Sequence, residues 1–437
     1  MKKSRKSYIA ITLLIAVISL CSVSIFKFLK KPTQPYLTVV GPVAMKEGLG
    51  RLAAELINSL KDQVSTGFKP SNKKIKLEGT PKEIRKILKN TKLPIGKVVI
   101  YADYLGVGGL SFKKVIKGLK NSDNIRIAYS MFESSLIPPE WVVSLNLCFD
   151  AVAVPDKFLI DVYKNSGVTI PIFEIPLGLD LKTFLTAPLK RERKSPMVFA
   201  NLGTAIPRKN QLKLIRAFHK AFGNSPDVRL RLNSKFGYPE CIQAIKNEIH
   251  DFGITNIDFT QMEMEKDFYL KTFQDIDCYV SLSSGEGFSI QPREAMALGI
   301  PVIVTDNTGQ STICSSHLGY TVFSLSPIPA FYPEFKNQYG VFYDCETDDV
   351  VTALKEVYQN YDNYLQQGPS ARAWVKQYSY EHLKTLYLEL IRPKKVVLGH
   401  NNKVTPDYLL TDSKELCEKF SKLTGVPFED KRKHEAY

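Results

Sequence analysis

The chain predicts an α/β fold of two domains, each a parallel sheet covered by helices. Three observations carry this. Its 437 residues exceed what one ordinary core organises. From Tyr36 onward, short β-branched runs alternate with segments of helical period, the pattern of successive βαβ units. Between two such series lie residues 176–196, which carry the basic run Lys190 to Lys194 and no periodicity, as an interdomain linker does.

The first series places strands at residues 36–40, 74–77, 98–102, 125–129, 151–154 and 170–175. The second places them at residues 197–201, 228–233, 257–260, 278–281 and 301–305. Residues 348–391 are of helical period, and the polar segment after them holds one short amphipathic helix around Leu416 and Phe420. The resulting division is 1–32 as a basic segment and anchor, 33–180 as the first domain and 181–196 as linker. It continues with 197–370 as the second domain, 371–392 as C-terminal helices and 393–437 as a polar tail.

Composition describes a folded body, with 44% hydrophobic and 24% charged residues. The formal net charge of +15 admits anionic partners, but the basic residues are scattered and show no aromatic-interleaved stripe, so no nucleic-acid partner is expected. Seven widely spaced cysteines without CxxC pairs or nearby histidines predict neither a zinc site nor a disulfide framework. Residues 8–26 are uncharged and mostly apolar, with Lys2, Lys3, Arg5 and Lys6 before them and Lys27, Lys30 and Lys31 after. That run is about long enough to span a bilayer. No small-x-small cleavage site follows it, and Leu20 before Cys21 suits no lipoprotein signal, so it reads as a retained single-pass membrane anchor.

The strongest chemical signal is the stretch 284–303, whose grammar is glycine loop, helix and strand following the strand at 278–281. Pro292 suits a first helical turn, Gly299 a left-handed cap and Pro301 a stop, giving a helix over about residues 292–298. Glu286 then lies in the loop at the carboxyl end of a buried strand, where open α/β sheets bind ligands. Glu294 falls in the first helical turn, whose free N–H groups attract phosphate, and Gly285 and Gly287, followed by Phe288 and Ser289, let a ligand approach the backbone. Alone, Glu294 complements a helix dipole and Glu286 is a solvated loop residue. As a pair in this context they point to a bound ligand.

Here the sequence resembles the retaining glycosyltransferases of family 4, also known as glycosyl transferases group 1. The resemblance implies the GT-B fold, two Rossmann-like domains facing across a cleft, and transfer of a hexosyl-type sugar from a nucleotide-diphosphate-sugar donor. It assigns Glu286 to the donor sugar and Glu294 to the ribose hydroxyls. A second match is the segment 203–210, in which Lys209 corresponds to the family's phosphate-binding lysine with Arg208 beside it; a cation there neutralises a diphosphate and stabilises the leaving group. The relatives' further arginine a few residues earlier is replaced by Gly203 and Thr204. The segment 46–51, with Gly48 and Gly50, resembles the family's glycine loop opposite the donor diphosphate.

Gly48, Gly50 and Ala53 also satisfy a loose dinucleotide fingerprint. Against nicotinamide binding, the glycines lie well past Val40, and Glu78 is farther on than the usual ~20 residues. The segment 129–141 resembles an acceptor-side stretch of some family members, making Glu133 and Trp141 acceptor candidates, with Trp141 equally suited to core packing. All six histidines lie in the second half, so the family's sugar-contacting histidine has no counterpart. Asp275 and Asp277 spell an Asp-x-Asp, but at the start of a strand, so no metal is expected. No cofactor is implied, the nucleotide-sugar being a substrate. The acceptor class stays open among glycan, lipid and protein, and a cytosolic donor places the body in the cytoplasm. The competing reading is a catalytically inactive GT-B scaffold that binds a nucleotide or glycan at the membrane. Replacing Glu286 or Lys209 by Ala is expected to abolish transfer while sparing thermal stability.

Overall fold

The computed structural model describes residues 33–45, 48–105, 117–118 and 123–432. The expected anchor at residues 8–26 lies outside the described residues, as do Lys46 and Glu47. Among the described residues no helix is long and apolar enough to cross a membrane.

Two six-stranded parallel sheets form the body. The first comprises β1 (Leu37–Ala44), β2 (Thr66–Lys76), β3 (Val98–Tyr101), β4 (Ile125–Tyr129), β5 (Ala151–Val154) and β6 (Ile172–Glu174), in the order β2-β1-β3-β4-β5-β6. The second comprises β7 (Met197–Asn201), β8 (Val228–Asn233), β9 (Ile257–Thr260), β10 (Cys278–Ser281), β11 (Val302–Asp306) and β12 (Tyr320–Phe323), in the order β12-β11-β10-β7-β8-β9. β3, β5, β7 and β10 are buried along their whole length, as strands sandwiched between helices must be. The helix Gly48–Leu60 packs on β1 through a stripe of Leu52, Leu56 and Leu60.

Four features differ from the sequence reading. β12, at the edge of the second sheet, was not expected, since the reading placed only five strands in the second series. β2 starts eight residues before the expected strand; Pro70 interrupts the apolar pattern, and only an edge strand tolerates it. After β12 comes an unexpected antiparallel hairpin, β13 (Ser326–Tyr332) with β14 (Asn337–Asp344), whose Pro327 and Pro329 masked the strand signal. The expected polar tail is folded. β15 (Val396–Leu398), β16 (Lys403–Val404), β17 (Leu409–Thr411) and β18 (Phe428–Asp430) form a sheet in the order β16-β17-β15-β18, with the helix Lys414–Thr424 burying Leu416, Cys417 and Phe420. Strands of two or three residues are too short for any period to be read. This unit is tied to the first domain by Lys419 Nζ, 2.7 Å from Asp150 Oδ1.

The chain crosses between the sheets twice. On the way out, Gly178 N donates to Tyr387 Oη at 2.6 Å and Leu179 N to the Tyr378 carbonyl at 2.8 Å. On the return, the helix Tyr380–Ile391 lies against the first domain, where Tyr380 Oη donates to Glu55 Oε2 at 2.7 Å. The Asp-x-Asp serves this crossing. Asp277, fully buried, accepts from Lys190 Nζ at 2.7 Å, from Lys194 N at 3.0 Å and from Val198 N at 2.7 Å, pinning the linker to the base of β7.

Candidate functional site

In the second sheet the strand order reverses between β7 and β10, so the loops after these neighbours splay apart and leave a crevice at their carboxyl ends. The loop after β7 carries Arg208 and Lys209 on a short 3₁₀ turn, Pro207–Lys209, followed by Asn210 at a left-handed φ of 53°. Asn210 ties this turn to the β10 loop: its Nδ2 donates to the Leu282 carbonyl at 2.9 Å and to Ser284 Oγ at 2.8 Å. Ser284 N returns a bond to the Arg208 carbonyl at 2.8 Å. The two loops are thus one laced unit.

Within it, Lys209 Nζ pairs directly with Glu286 Oε1, and Arg208 Nη1 lies 3.2 Å from the same oxygen. Arg208 also donates to the Gly285 carbonyl at 2.7 Å and, across the cleft, to Glu133 Oε1 at 3.1 Å. Burial by itself raises the Glu286 carboxyl, but Lys209 and Arg208 outweigh it and hold the group at about 2. Burial depresses the Lys209 ammonium, with Glu286 opposing. Burial raises the Glu133 carboxyl, with Arg208 opposing. Two cations are therefore held between two carboxylates, one from each domain, where an incoming diphosphate would compete for them.

The second glutamate stands apart from this cluster. The helix runs Ile290–Ala297, earlier than expected, so Pro292 is its third residue and Glu294 lies in its second turn. Glu294 therefore does not complement the helix dipole in the first turn. It accepts from Tyr269 Oη at 2.6 Å and faces Arg51 Nη2 at 3.9 Å, from the first-domain helix that opens at Gly48. Burial raises its carboxyl, with Arg51 and Tyr269 opposing. Gly299 caps this helix at φ 71°, as its sequence implied.

The glycines also serve packing within the chain. A Cβ on Gly285 would stand 2.2 Å from the Glu133 carbonyl and 2.7 Å from the Phe342 ring; on Gly287 it would meet Met131 at 3.2 Å. Their small size admits the first domain and the β13–β14 hairpin against the Glu286 loop. Gly50 likewise lets its helix close on β1, since a Cβ there would sit 2.7 Å from the Ala44 carbonyl. Phe288 is buried with its ring 3.9 Å from the Arg293 guanidinium, which leaves its backbone for any ligand. Ser289 is buried at a left-handed φ of 65° before the helix. Trp141, at 2% exposure, packs edge-on against Phe132 with centroids 5.3 Å apart, the core-packing alternative that its sequence left open.

Sequence reasoning missed Arg51 and Tyr269. Arg51 stood inside the glycine segment but was read only as its end, whereas Tyr269, on the helix Lys266–Gln274, had no local signal at all. Among the described residues no group of three or more His, Cys, Asp and Glu side chains is arranged to hold a metal ion.

Two parallel sheets facing across a cleft define the class as the GT-B fold. Solved structures that share it include a glycosyltransferase from Rickettsia africae ESF-5, with TM-score 0.60 at 15% identity over 82% of this chain and 98% of that one. Anabaena Alr3699/HepE in complex with UDP-glucose aligns with TM-score 0.59 at 11% identity, over 82% and 99%. TarM aligns with TM-score 0.52 at 16% identity, over 68% of this chain and 54% of its own, so the chain spans about half of TarM's length. Within the fold, residues 188–324 match the model of the family described as glycosyl transferases group 1. That is the group the glutamate and lysine motifs resemble, and the matched segment contains Lys209, Glu286 and Glu294. No curated protein matches the chain.

Proposed function

We propose that this chain is a membrane-anchored retaining glycosyltransferase that uses a nucleotide-diphosphate-sugar without a metal ion. The observation that carries the reading is the pairing of Lys209 and Arg208 with Glu286 at the switch-point crevice, inside the segment that matches the family model. Donor entry exchanges partners. The two cations move from the Glu286 carboxylate to the diphosphate, and the freed carboxylate accepts hydrogen bonds from the donor sugar. Glu294 takes the ribose hydroxyls, with Arg51 and Tyr269 holding its carboxylate in place.

In the chemical step the bond from the anomeric carbon to the phosphate oxygen breaks and the acceptor oxygen attacks on the same face. The acceptor proton passes to the departing phosphate oxygen, whose charge Lys209 and Arg208 stabilise. A diphosphate so neutralised needs no bound cation from solution. Glu133, joined to Arg208 and facing Glu286 from the first domain, stands on the acceptor side. The anchor is the apolar run at residues 8–26, with the body on the cytoplasmic side, where nucleotide-sugars are made.

The test is turnover of a nucleotide-sugar panel that begins with UDP-glucose, the ligand of the Anabaena neighbour, with and without a chelator. Release of nucleoside diphosphate that persists in chelator and vanishes in Lys209→Met supports the reading. Nucleotide binding without any turnover across the panel identifies the inactive scaffold instead.

A further inference from the structure

The described chain begins at one particular place on the first domain. Gln34 Nε2 donates to the Ile95 carbonyl at 2.7 Å, and Pro35 and Leu93 both lie beside Gly67, at 3.0 and 3.6 Å from where its Cβ would be. The chain therefore enters the fold against the segment 91–97, beside the edge strand β2, to which Lys69 Nζ is joined by a 2.7 Å bond to the Thr91 carbonyl. Residues 27–33 separate the apolar run from Gln34, and seven residues reach at most about 25 Å. Whatever surface surrounds the entry point is thereby held close to the bilayer.

That surface is basic. Residues 82–97 hold six basic side chains against the single acid Glu83. Over the turn Lys82–Ile84 and the helix Arg85–Lys89, Ile84 and Leu88 point into the core, while Lys82, Lys86 and Lys89 recur at helical spacing on the outer face. Lys92 and Lys97 continue the exposed series toward the entry point. None of these five lysines forms an ion pair with another described residue. A group of unpaired ammonium groups around the entry of an anchored chain matches the negative potential of anionic headgroups, which acts over about 10 Å at moderate salt.

We infer that the face formed by Lys82, Lys86, Lys89, Lys92 and Lys97 docks on anionic lipid and fixes the first domain against the membrane beside its anchor. The inference rests on the anchor reading above and adds a second, electrostatic contact to it.

The test uses the full chain bound to vesicles of phosphatidylcholine alone or mixed with phosphatidylglycerol, with lysine acetylation read by mass spectrometry. Labelling of the five lysines should fall roughly threefold or more on the anionic vesicles and recover in about 1 M salt, where screening shortens to about 3 Å. Exposed Lys271 and Lys355 of the second domain should label equally on both. A chain that floats with both vesicles but labels identically overturns the docking while leaving the anchor. A chain that floats with neither overturns both.

Discussion

Replacing Glu286 by Gln probes the ion cluster directly. Glu286 is 7% exposed and is flanked by Lys209 and Arg208 on the same carboxylate oxygen. Its carboxyl is held at about 2, against about 4.3 for an ordinary glutamate, a difference worth about 3 kcal/mol of native stability. Because the native value lies below the unfolded one, this stabilisation is present above about pH 4.3 and is lost as pH falls through about 2. Gln keeps the shape but leaves two half-hidden cations without their shared counter-charge. Unfolding free energy near pH 7 should therefore drop by about 3 kcal/mol, with the gap to wild type narrowing below about pH 4. This revises the expectation that loss of Glu286 spares thermal stability. Added nucleoside diphosphate supplies the missing negative charge, so it should stabilise the variant more than the wild type while transfer is lost. Urea unfolding at about pH 7 and about pH 3, with and without UDP, measures each part. A variant as stable as wild type near neutral pH would refute the reasoning.

Three further outcomes are expected. Burial raises the Glu294 carboxyl, so its charge costs stability as pH rises through the raised native value. Glu294→Gln should melt at or above the wild-type temperature, yet raise the donor KM by about tenfold or more through loss of charge-assisted bonds to the ribose. In the wild type the same shift makes kcat/KM for the donor fall on acidification before Glu286 takes up a proton, which a pH profile reads. Asp277→Asn should leave donor KM unchanged but lower stability by about 3 kcal/mol in urea unfolding, since the fully buried carboxylate holds Lys190 and the Lys194 amide of the linker together with the Val198 amide of β7.

The central strands of both sheets were legible because a strand buried on both faces writes a continuous apolar run. The observed bounds of β4, β5, β7, β8, β9 and β10 coincide with those read from the sequence. Edges were read unevenly: the edge strand β9 was placed, β12 was missed, and β2 and the β13–β14 hairpin carry prolines and polar residues that only an edge or a strap tolerates. Placement of Lys209 and Glu286 at strand carboxyl ends was equally legible, because the strand that precedes each fixes where its loop must begin. The helix that carries Glu294 was misplaced by two residues at its start, since Pro292 is compatible with any position in a first turn.

By itself the sequence determined two parallel α/β sheets and the loops that hold the glutamates and the lysine, because those depend on local periods and punctuation. Only the tertiary structure decided which groups meet. Arg208 reaches Glu133 across 75 residues of chain, Arg51 faces Glu294 from the other domain, and Trp141 turns inward. Contacts across a cleft follow from how two finished sheets are set against each other, and no local pattern encodes that.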